Sequence, residues 1–123
     1  MLPVASAVPL SDVDVVIKAT VRAADRLGIS SKTLARILGV SEATISRMKK
    51  GDYALDKKPL ELALAFIRLY RSLDAVVGGD DAVARAWMKN QNTALAGRPI
   101  DLIESVLGLG NVIQYLDARR ALV

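Results

Sequence analysis

The side chains that could carry out chemistry in this chain are limited by two absences. The 123 residues include neither cysteine nor histidine. Thiolate nucleophiles, imidazole bases and zinc sites that need these residues are therefore excluded. Acidic candidates remain at Asp80, Asp81 and Asp101, but they form no convergent cluster, and Asp80 suits a helix cap better than a cation site. The sequence predicts a protein that is not an enzyme and binds no cofactor or metal.

Hydrogen-bonding and cationic side chains are instead concentrated between Ser31 and Lys50, in the stretch SKTLARILGVSEATISRMKK. This stretch predicts two short helices joined by a tight turn. Gly39 can adopt the positive φ that ends the first helix, and Ser41 can cap the second by accepting a hydrogen bond from the backbone N–H of Ala43 or Thr44. Helical spacing gives each helix an apolar inner face. The residues on these faces are Leu34, Ala35, Leu38, Ile45 and Met48.

This pattern resembles the helix-turn-helix of the phage-repressor and Xre class, with the expected residue type at nearly every packing position. In that unit the second helix lies in the major groove, and residues at and just after its start reach base edges. The resemblance implies that the corresponding residues here contact operator DNA, together with nearby lysines. The predicted DNA-binding residues are Lys32, Ser41, Glu42, Ala43, Thr44, Arg47, Lys49 and Lys50.

Two of these side chains have more than one interpretation. Arg47 can bind a guanine edge through two hydrogen bonds or can merely solvate a helix face, and its position in the second helix favours contact with DNA. Glu42 can accept a hydrogen bond from cytosine or can stabilise the positive start of its helix, and the two interpretations are about equal. Lys49 and Lys50 are expected to meet phosphate or solvent.

The distribution of charge supports a nucleic-acid partner for this part of the chain. Residues 18–58 contain ten Lys/Arg and four Asp/Glu, whereas residues 59–123 contain seven of each. The excess positive charge therefore surrounds the predicted helix-turn-helix, as expected of a surface that replaces counterions on phosphate.

The other elements are also predicted to be helical. Hydrophobic residues make up 52% and aromatic residues 4% of the chain, and a core of Ala, Leu and Val favours helices over sheet. The longest predicted helix, Pro59 to Val77, is apolar around most of its circumference and should pack on both sides. Gly108-Leu109-Gly110 is expected to separate the last two helices. The other predicted segments are a helix from Asp12 to Leu27, a helix capped by Asp80 and reaching Lys89, a loop from Asn90 to Gly97 anchored by Leu95, a short helix from Pro99 to near Gly108, and a last helix from Gly110 to Ala121.

A minimal DNA-binding domain does not need the final fifty or so residues, and these have a resemblance of their own. Residues 60–123 are similar to the toxin-binding domain of Xre/MbcA/ParS antitoxins. The positions that carry this resemblance are spread over several elements. They are Trp87, Asn92, Leu95, Gly97, Pro99, Asp101-Leu102-Ile103, Gly108, Val112 and Leu116.

The resemblance implies a type II antitoxin that binds and neutralises a toxin, commonly a RES-domain enzyme that consumes NAD. It also implies that the helix-turn-helix represses the shared operon. Trp87 is more readily a core anchor than an interface hot spot. Arg119 and Arg120 suit the negative end of a helix, or they could reach an anionic active site in the toxin. The predicted toxin-binding residues are Trp87, Asn92, Leu95, Arg119, Arg120, Leu122 and Val123.

The predicted architecture is all-α, with a helix-turn-helix bundle of the Xre or phage-repressor type followed by a small helical toxin-binding domain. Residues 1–10 are expected to be a flexible arm, residues 11–58 the DNA-binding domain, and residues 59–123 the toxin-binding domain with the long connecting helix. One recognition helix buries little DNA, so a homodimer or a toxin–antitoxin hetero-oligomer is expected on a two-fold operator.

The expected location is the cytoplasm. No apolar run approaches the 18 or so residues of a membrane span. The uncharged start of the chain lacks the basic residues of a signal peptide and contains Pro3 and Pro9. The rival hypothesis is a stand-alone Xre-type repressor whose second half dimerises or senses a ligand, and a toxin gene beside this one would favour the antitoxin.

Overall fold

A computed structural model describes residues 10–52 and 55–122, apart from the side chains of Leu10 and Ser11. Seven helices and one isolated bridge between Asn92 and Gly97 make up the regular structure of these residues, which confirms the predicted all-α class. No helix in the described ranges is long and apolar enough to cross a membrane. The helices are α1 (Leu10–Arg26), α2 (Ser31–Leu38), α3 (Glu42–Lys50), α4 (Lys57–Val76), α5 (Asp81–Lys89), α6 (Pro99–Leu102) and α7 (Val106–Arg120).

The helix-turn-helix forms where the local sequence predicts it. Ser30 caps α2 by accepting a hydrogen bond from the Thr33 N–H at 3.2 Å, and Ser41 caps α3 by accepting one from the Thr44 N–H at 3.1 Å. Gly39 ends α2 with a φ of 71°, in the left-handed region that favours glycine. The starts of both helices and the turn between them are therefore determined by residues that are their immediate neighbours in the chain.

The core of the first half lies between α1, α2 and α3. Leu34, Leu38 and Ile45 are almost completely shielded from solvent there, as the apolar spacing predicts, and Leu27 is equally buried. Thr20 is also fully buried, and its hydroxyl donates a hydrogen bond to the Val16 carbonyl at 2.7 Å, so this buried polar group has a partner.

The long helix α4 packs on both sides, as predicted. It contacts α1 and α2 of the first half, and it contacts α5 and α7 of the second. Ala63, Phe66, Leu69 and Leu73 of α4 are all 0% exposed. A single helix therefore contributes side chains to the packing of both halves.

Among the described residues, two polar contacts also join the segments that follow α4 to the first half. Arg85 of α5 donates a hydrogen bond from Nε to the Arg26 carbonyl at 2.9 Å, which satisfies a carbonyl at the end of α1. Arg36 of α2 lies 3.8 Å from the Glu104 carboxylate, between α6 and α7. The ion pair is partly exposed and contributes little energy, but both contacts tie the second half to the helix-turn-helix.

The predicted N-terminal arm falls mostly outside the described residues, and Leu10 is the first residue of α1. The predicted separation of two helices at Gly108-Leu109-Gly110 is wrong, because α7 begins at Val106 and runs through both glycines. Ser105 caps α7 by accepting a hydrogen bond from the Gly108 N–H at 3.0 Å. A Cβ at Gly108 would overlap the Leu102 carbonyl oxygen. The glycine is therefore required for close packing and does not break the helix.

We predict opposite effects of alanine at the two glycines of α7. Gly108→Ala should lower the free energy of unfolding by about 1–3 kcal/mol, because the added methyl meets backbone that cannot move aside. Gly110→Ala should raise it by about 0.5–1 kcal/mol, since a Cβ there meets nothing within 4 Å and alanine favours the helix. Urea denaturation measures both, and equal effects would contradict this account of Gly108.

Candidate functional site

The outer face of α3 is polar and open to solvent. Ser41, Glu42, Ala43 and Arg47 are exposed there, while Ile45 and Met48 point into the core. Ser41 caps the start of α3. The last turn of α3 carries the basic residues Arg47, Lys49 and Lys50. The arrangement offers hydrogen-bonding groups near the start of a helix and positive charge near its end.

One predicted DNA-binding residue lies off this face, and one residue of the face was missed. Thr44 is only 7% exposed, and its hydroxyl lies 3.1 Å from the Ser41 hydroxyl, so its side chain belongs to the cap of α3. Ser46 is exposed, and sequence reasoning passed over it. Its position three residues after Ala43 and four after Glu42 was the available signal, because those spacings share one helix face.

The predicted lysines lie on either side of α3. Lys49 donates a hydrogen bond from Nζ to the Ser31 hydroxyl at 2.6 Å, which links the end of α3 to the start of α2. Lys32 is exposed in the first turn of α2, and Lys50 is exposed in the last turn of α3. The three ammonium groups therefore add positive charge around the recognition helix.

The second half presents a different kind of surface, where α5 meets the end of α7. The rings of Trp87 and Tyr115 are stacked, with centroids 6.3 Å apart and an interplanar angle of 22°. The Arg119 guanidinium lies 5.6 Å from the centroid of the Tyr115 ring, within the range of a cation–π contact. We call Trp87, Tyr115 and Arg119 the aromatic cluster. Both rings are half-buried and pack against the core, so Trp87 combines an anchoring role with an accessible edge.

Asn92 and Leu95 organise the loop that follows α5. The Asn92 side-chain oxygen accepts a hydrogen bond from the Leu95 N–H at 3.1 Å, and the Asn92 and Gly97 backbones pair with each other. Leu95 is half-buried against the core, as the predicted anchor of the loop should be. The structure therefore gives both residues a role in holding the loop in shape.

The end of α7 carries the remaining predicted toxin-binding residues. Arg120 is exposed and donates a hydrogen bond from Nη1 to the Ser72 hydroxyl at 3.4 Å. Leu122 is 83% exposed, which is unusual for a large apolar side chain. Val123 lies outside the described residues. Arg119, Arg120 and Leu122 thus form an open, cationic and partly apolar end beside the aromatic cluster.

A polar contact under this end joins α4 to α7. The Ser72 hydroxyl, which is fully buried, donates a hydrogen bond to Asp117 Oδ1 at 2.7 Å, and Arg68 donates to Oδ2 at 2.5 Å. The hydrogen bond from Ser72, and then the bond and charge of Arg68, hold the pKa of Asp117 below its ordinary value in spite of partial desolvation. The carboxylate is therefore ionised at neutral pH and holds the two helices together.

Two of the acidic residues considered as catalytic candidates, Asp80 and Asp101, have structural roles. Asp80 caps α5 by accepting hydrogen bonds from the N–H groups of Ala82 and Val83, as predicted. Asp101 forms a two-point contact with Arg98, and that hydrogen bonding lowers its pKa. Within residues 10–52 and 55–122, no group of three or more acidic side chains is positioned to hold a metal ion.

The fold and these surfaces define a helix-turn-helix protein with an appended helical interaction domain. Family models identify both parts. The antitoxin Xre-like helix-turn-helix domain matches residues 2–68, and the antitoxin Xre/MbcA/ParS C-terminal toxin-binding domain matches residues 72–121. The chain belongs to the Xre/MbcA/ParS antitoxin family. It is a type II antitoxin whose partners are a cognate toxin and DNA, and this family and fold indicate a non-enzymatic role.

Solved structures contain the same fold. A chain in the crystal structure of the M. tuberculosis MbcT–MbcA toxin–antitoxin complex superimposes with a TM-score of 0.69 at 21% sequence identity. The alignment covers 89% of this protein and 96% of that chain. The comparison with curated proteins found no match. The stand-alone repressor is not favoured, because a toxin-binding domain accounts for residues 72–121.

We predict that Asp117→Asn lowers the free energy of unfolding by about 1 kcal/mol at pH 7, a modest loss because the carboxylate is partly exposed. Because the folded-state pKa of Asp117 is lowered, its contribution is fully present above the unfolded pKa of about 4 and is lost as pH falls through the folded value. The difference between variant and wild type should therefore shrink below about pH 4.

Thermal or urea unfolding across pH 2–7 measures this difference. Asp101→Asn is the control, since that carboxylate pairs with Arg98, three positions away on the same short helix start, and this variant should give a smaller loss. A difference between Asp117→Asn and wild type that stays constant down to pH 2 would refute the role of the ionised carboxylate.

Proposed function

We propose that this antitoxin neutralises a RES-domain, NAD-consuming toxin by occluding it and represses its own operon through α3. The observation that carries the proposal is the order of two antitoxin domains along nearly the whole chain. On this proposal residues 11–58 bind DNA, and residues 59–123 bind the toxin and include the connecting helix. The protein acts in the cytoplasm and has no catalysis of its own.

In the DNA-binding part, α3 enters the major groove of the operator. Ser41, Glu42, Ala43 and Arg47 reach base edges, and Lys32, Lys49 and Lys50 contact phosphates. Thr44 contributes through the cap that sets the start of α3. One recognition helix buries too little DNA for strong specificity, so two copies bind a two-fold operator as a homodimer or within a hetero-oligomer with the toxin.

In the toxin-binding part, the end of α7 and the aromatic cluster form the contact. Trp87 supplies a large apolar surface of the kind that dominates protein interfaces, and Leu122 adds an exposed apolar side chain. Arg119 and Arg120 complement an anionic active site in the toxin, and Val123 takes part in the same contact. Asn92 and Leu95 hold their own loop, which follows α5, in a conformation that fits the toxin.

We predict that Arg47→Ala weakens binding to the upstream region of the protein's own operon by about 1–3 kcal/mol, because a two-point contact with a guanine is lost. Gel shifts measure the affinity. Arg71→Ala is the matched control, because Arg71 is exposed on α4 and has no part in the proposed contact with DNA. This variant should bind normally. Equal affinities for Arg47→Ala and wild type would refute the assignment of α3 to base recognition.

A second prediction concerns the toxin and compares the two ends of α7. Leu122→Asp should weaken toxin binding by at least about tenfold, because a charged side chain replaces an apolar one in the proposed contact. Leu107→Asp is the control, because Leu107 is 76% exposed at the opposite end of the helix and should leave binding unchanged. A chain ending at Arg119 should neutralise the toxin weakly while still binding DNA.

Co-expression with the product of the neighbouring gene, followed by co-purification and titration, measures these effects. Equal binding by wild type and both leucine variants would remove the end of α7 from the interface. Absence of any complex with wild type would instead contradict the identity of the toxin, so the two failures are distinguishable.

A further inference from the structure

A groove on the flank of the helix-turn-helix has no role in the proposed contacts with bases. It has a volume of about 570 Å³ and lies between α1, the start of α2 and the end of α3. Lys18 and Arg22 of α1 line one side, and Lys49 of α3 lines the other. Among the described residues that line the groove, Asp25 is the only carboxylate. The groove therefore carries a net positive charge.

The three cations are available to an anion. Lys49 is directed along the groove by its hydrogen bond to Ser31, and an ammonium group has further protons to donate. Lys18 lies 3.1 Å from Asp14, but both side chains are at least half exposed, so solvent screens this pair. Arg22 is exposed on the same side of α1. Like charges that line one groove repel one another, and a polyanion in the groove relieves that repulsion.

The position of the groove indicates which polyanion it meets. α1 packs directly against α3, so the groove lies beside the helix that enters the major groove. A helix about 10 Å across nearly fills a major groove about 12 Å wide. Elements beside such a helix face the sugar-phosphate strands that border the groove. Those strands carry one negative charge per roughly 1.7 Å of duplex.

We propose that Lys18 and Arg22 extend the DNA interface onto α1 by binding phosphates of one backbone strand, with Lys49 as the link to α3. This inference rests on the proposed binding of DNA through α3 and adds a second, sequence-independent contact to it. Contacts with phosphate set the register and orientation of a protein on the duplex without reading the sequence. The α1 contact therefore orients α3 in the major groove.

The test is the salt dependence of DNA binding by the Lys18→Ala/Arg22→Ala double variant, measured by fluorescence anisotropy. Each phosphate contact contributes about 0.9 to the slope of log affinity against log salt, so the slope should fall by about 1.8. Affinity at low salt should fall by roughly tenfold, and by the same factor for the operator and for a shuffled duplex of equal length.

The matched control is Arg71→Ala/Lys89→Ala, which removes two exposed positive charges from α4 and α5. It changes the net charge equally and should leave the slope unchanged. Circular dichroism verifies folding, and Lys18→Gln/Arg22→Gln replaces the alanine variant if helix α1 is disturbed. The same slope and affinity in the α1 variant and wild type would overturn the inference.

Two further outcomes separate this inference from the proposed function. Loss of affinity for the operator alone, with the shuffled duplex unaffected, would also overturn it, because the residues would then be reading sequence. A wild-type protein that binds neither duplex would contradict the proposed DNA binding itself. A reduced salt slope in the Lys18→Ala/Arg22→Ala variant, together with a loss of affinity in Arg47→Ala, supports both the α1 contact and the proposed binding of DNA through α3.

Discussion

The burial of α4 on both sides is the constraint on which the rest of the structure depends. Each large apolar side chain that it hides from water contributes about 1.5–3 kcal/mol, and Phe66, Leu69 and Leu73 are completely hidden. Because α4 contacts α1 and α2 as well as α5 and α7, neither half retains its packing without it. The contacts from Arg85 to Arg26 and from Arg36 to Glu104 help to set the orientation of the second half relative to the first.

The two halves use this support for different chemistry. The face of α3 is polar, and its side chains suit the hydrogen-bonding edges of bases. The end of α7 instead combines stacked rings, an arginine over one ring and an exposed leucine, as expected of a surface that meets another protein. The division matches the charge of the chain, since the positive excess lies in residues 18–58. On the proposed function, the DNA-binding and toxin-binding surfaces lie on separate elements.

Buried polar groups show where precise geometry is required. Ser72 is completely buried on α4, yet its hydroxyl has a charged acceptor in Asp117 of α7. Such a bond is stronger than one between neutral groups and is costly to leave unmade. Arg68 and Arg120 contact the same pair, so the end of α7 is held in a defined position relative to α4. Its exposed residues are therefore presented on a fixed support.

The sequence by itself determined the features that depend on neighbours in the chain. Ser30, Ser41 and Gly39 specify the ends of α2 and α3, because caps and left-handed turns involve residues only a few positions apart. Apolar spacing identified the inner faces of α2 and α3 and the two-sided packing of α4. Family resemblance identified both domains. Only the tertiary structure decided which side chains meet across elements.

These side-chain contacts join residues that are far apart in the chain, so the local spacing of residues cannot predict them. Tyr115 stacks on Trp87 from 28 positions away, and Asp117 reaches Ser72 across 45. Gly108 was wrongly predicted to separate two helices because glycine disfavours helices. In the structure, the absence of a Cβ allows the Leu102 backbone to pack closely against it. The groove that brings Lys18 and Arg22 to Lys49 likewise exists only once α1 packs on α3. Local chemistry specified the elements, and packing between distant residues specified the surfaces they share.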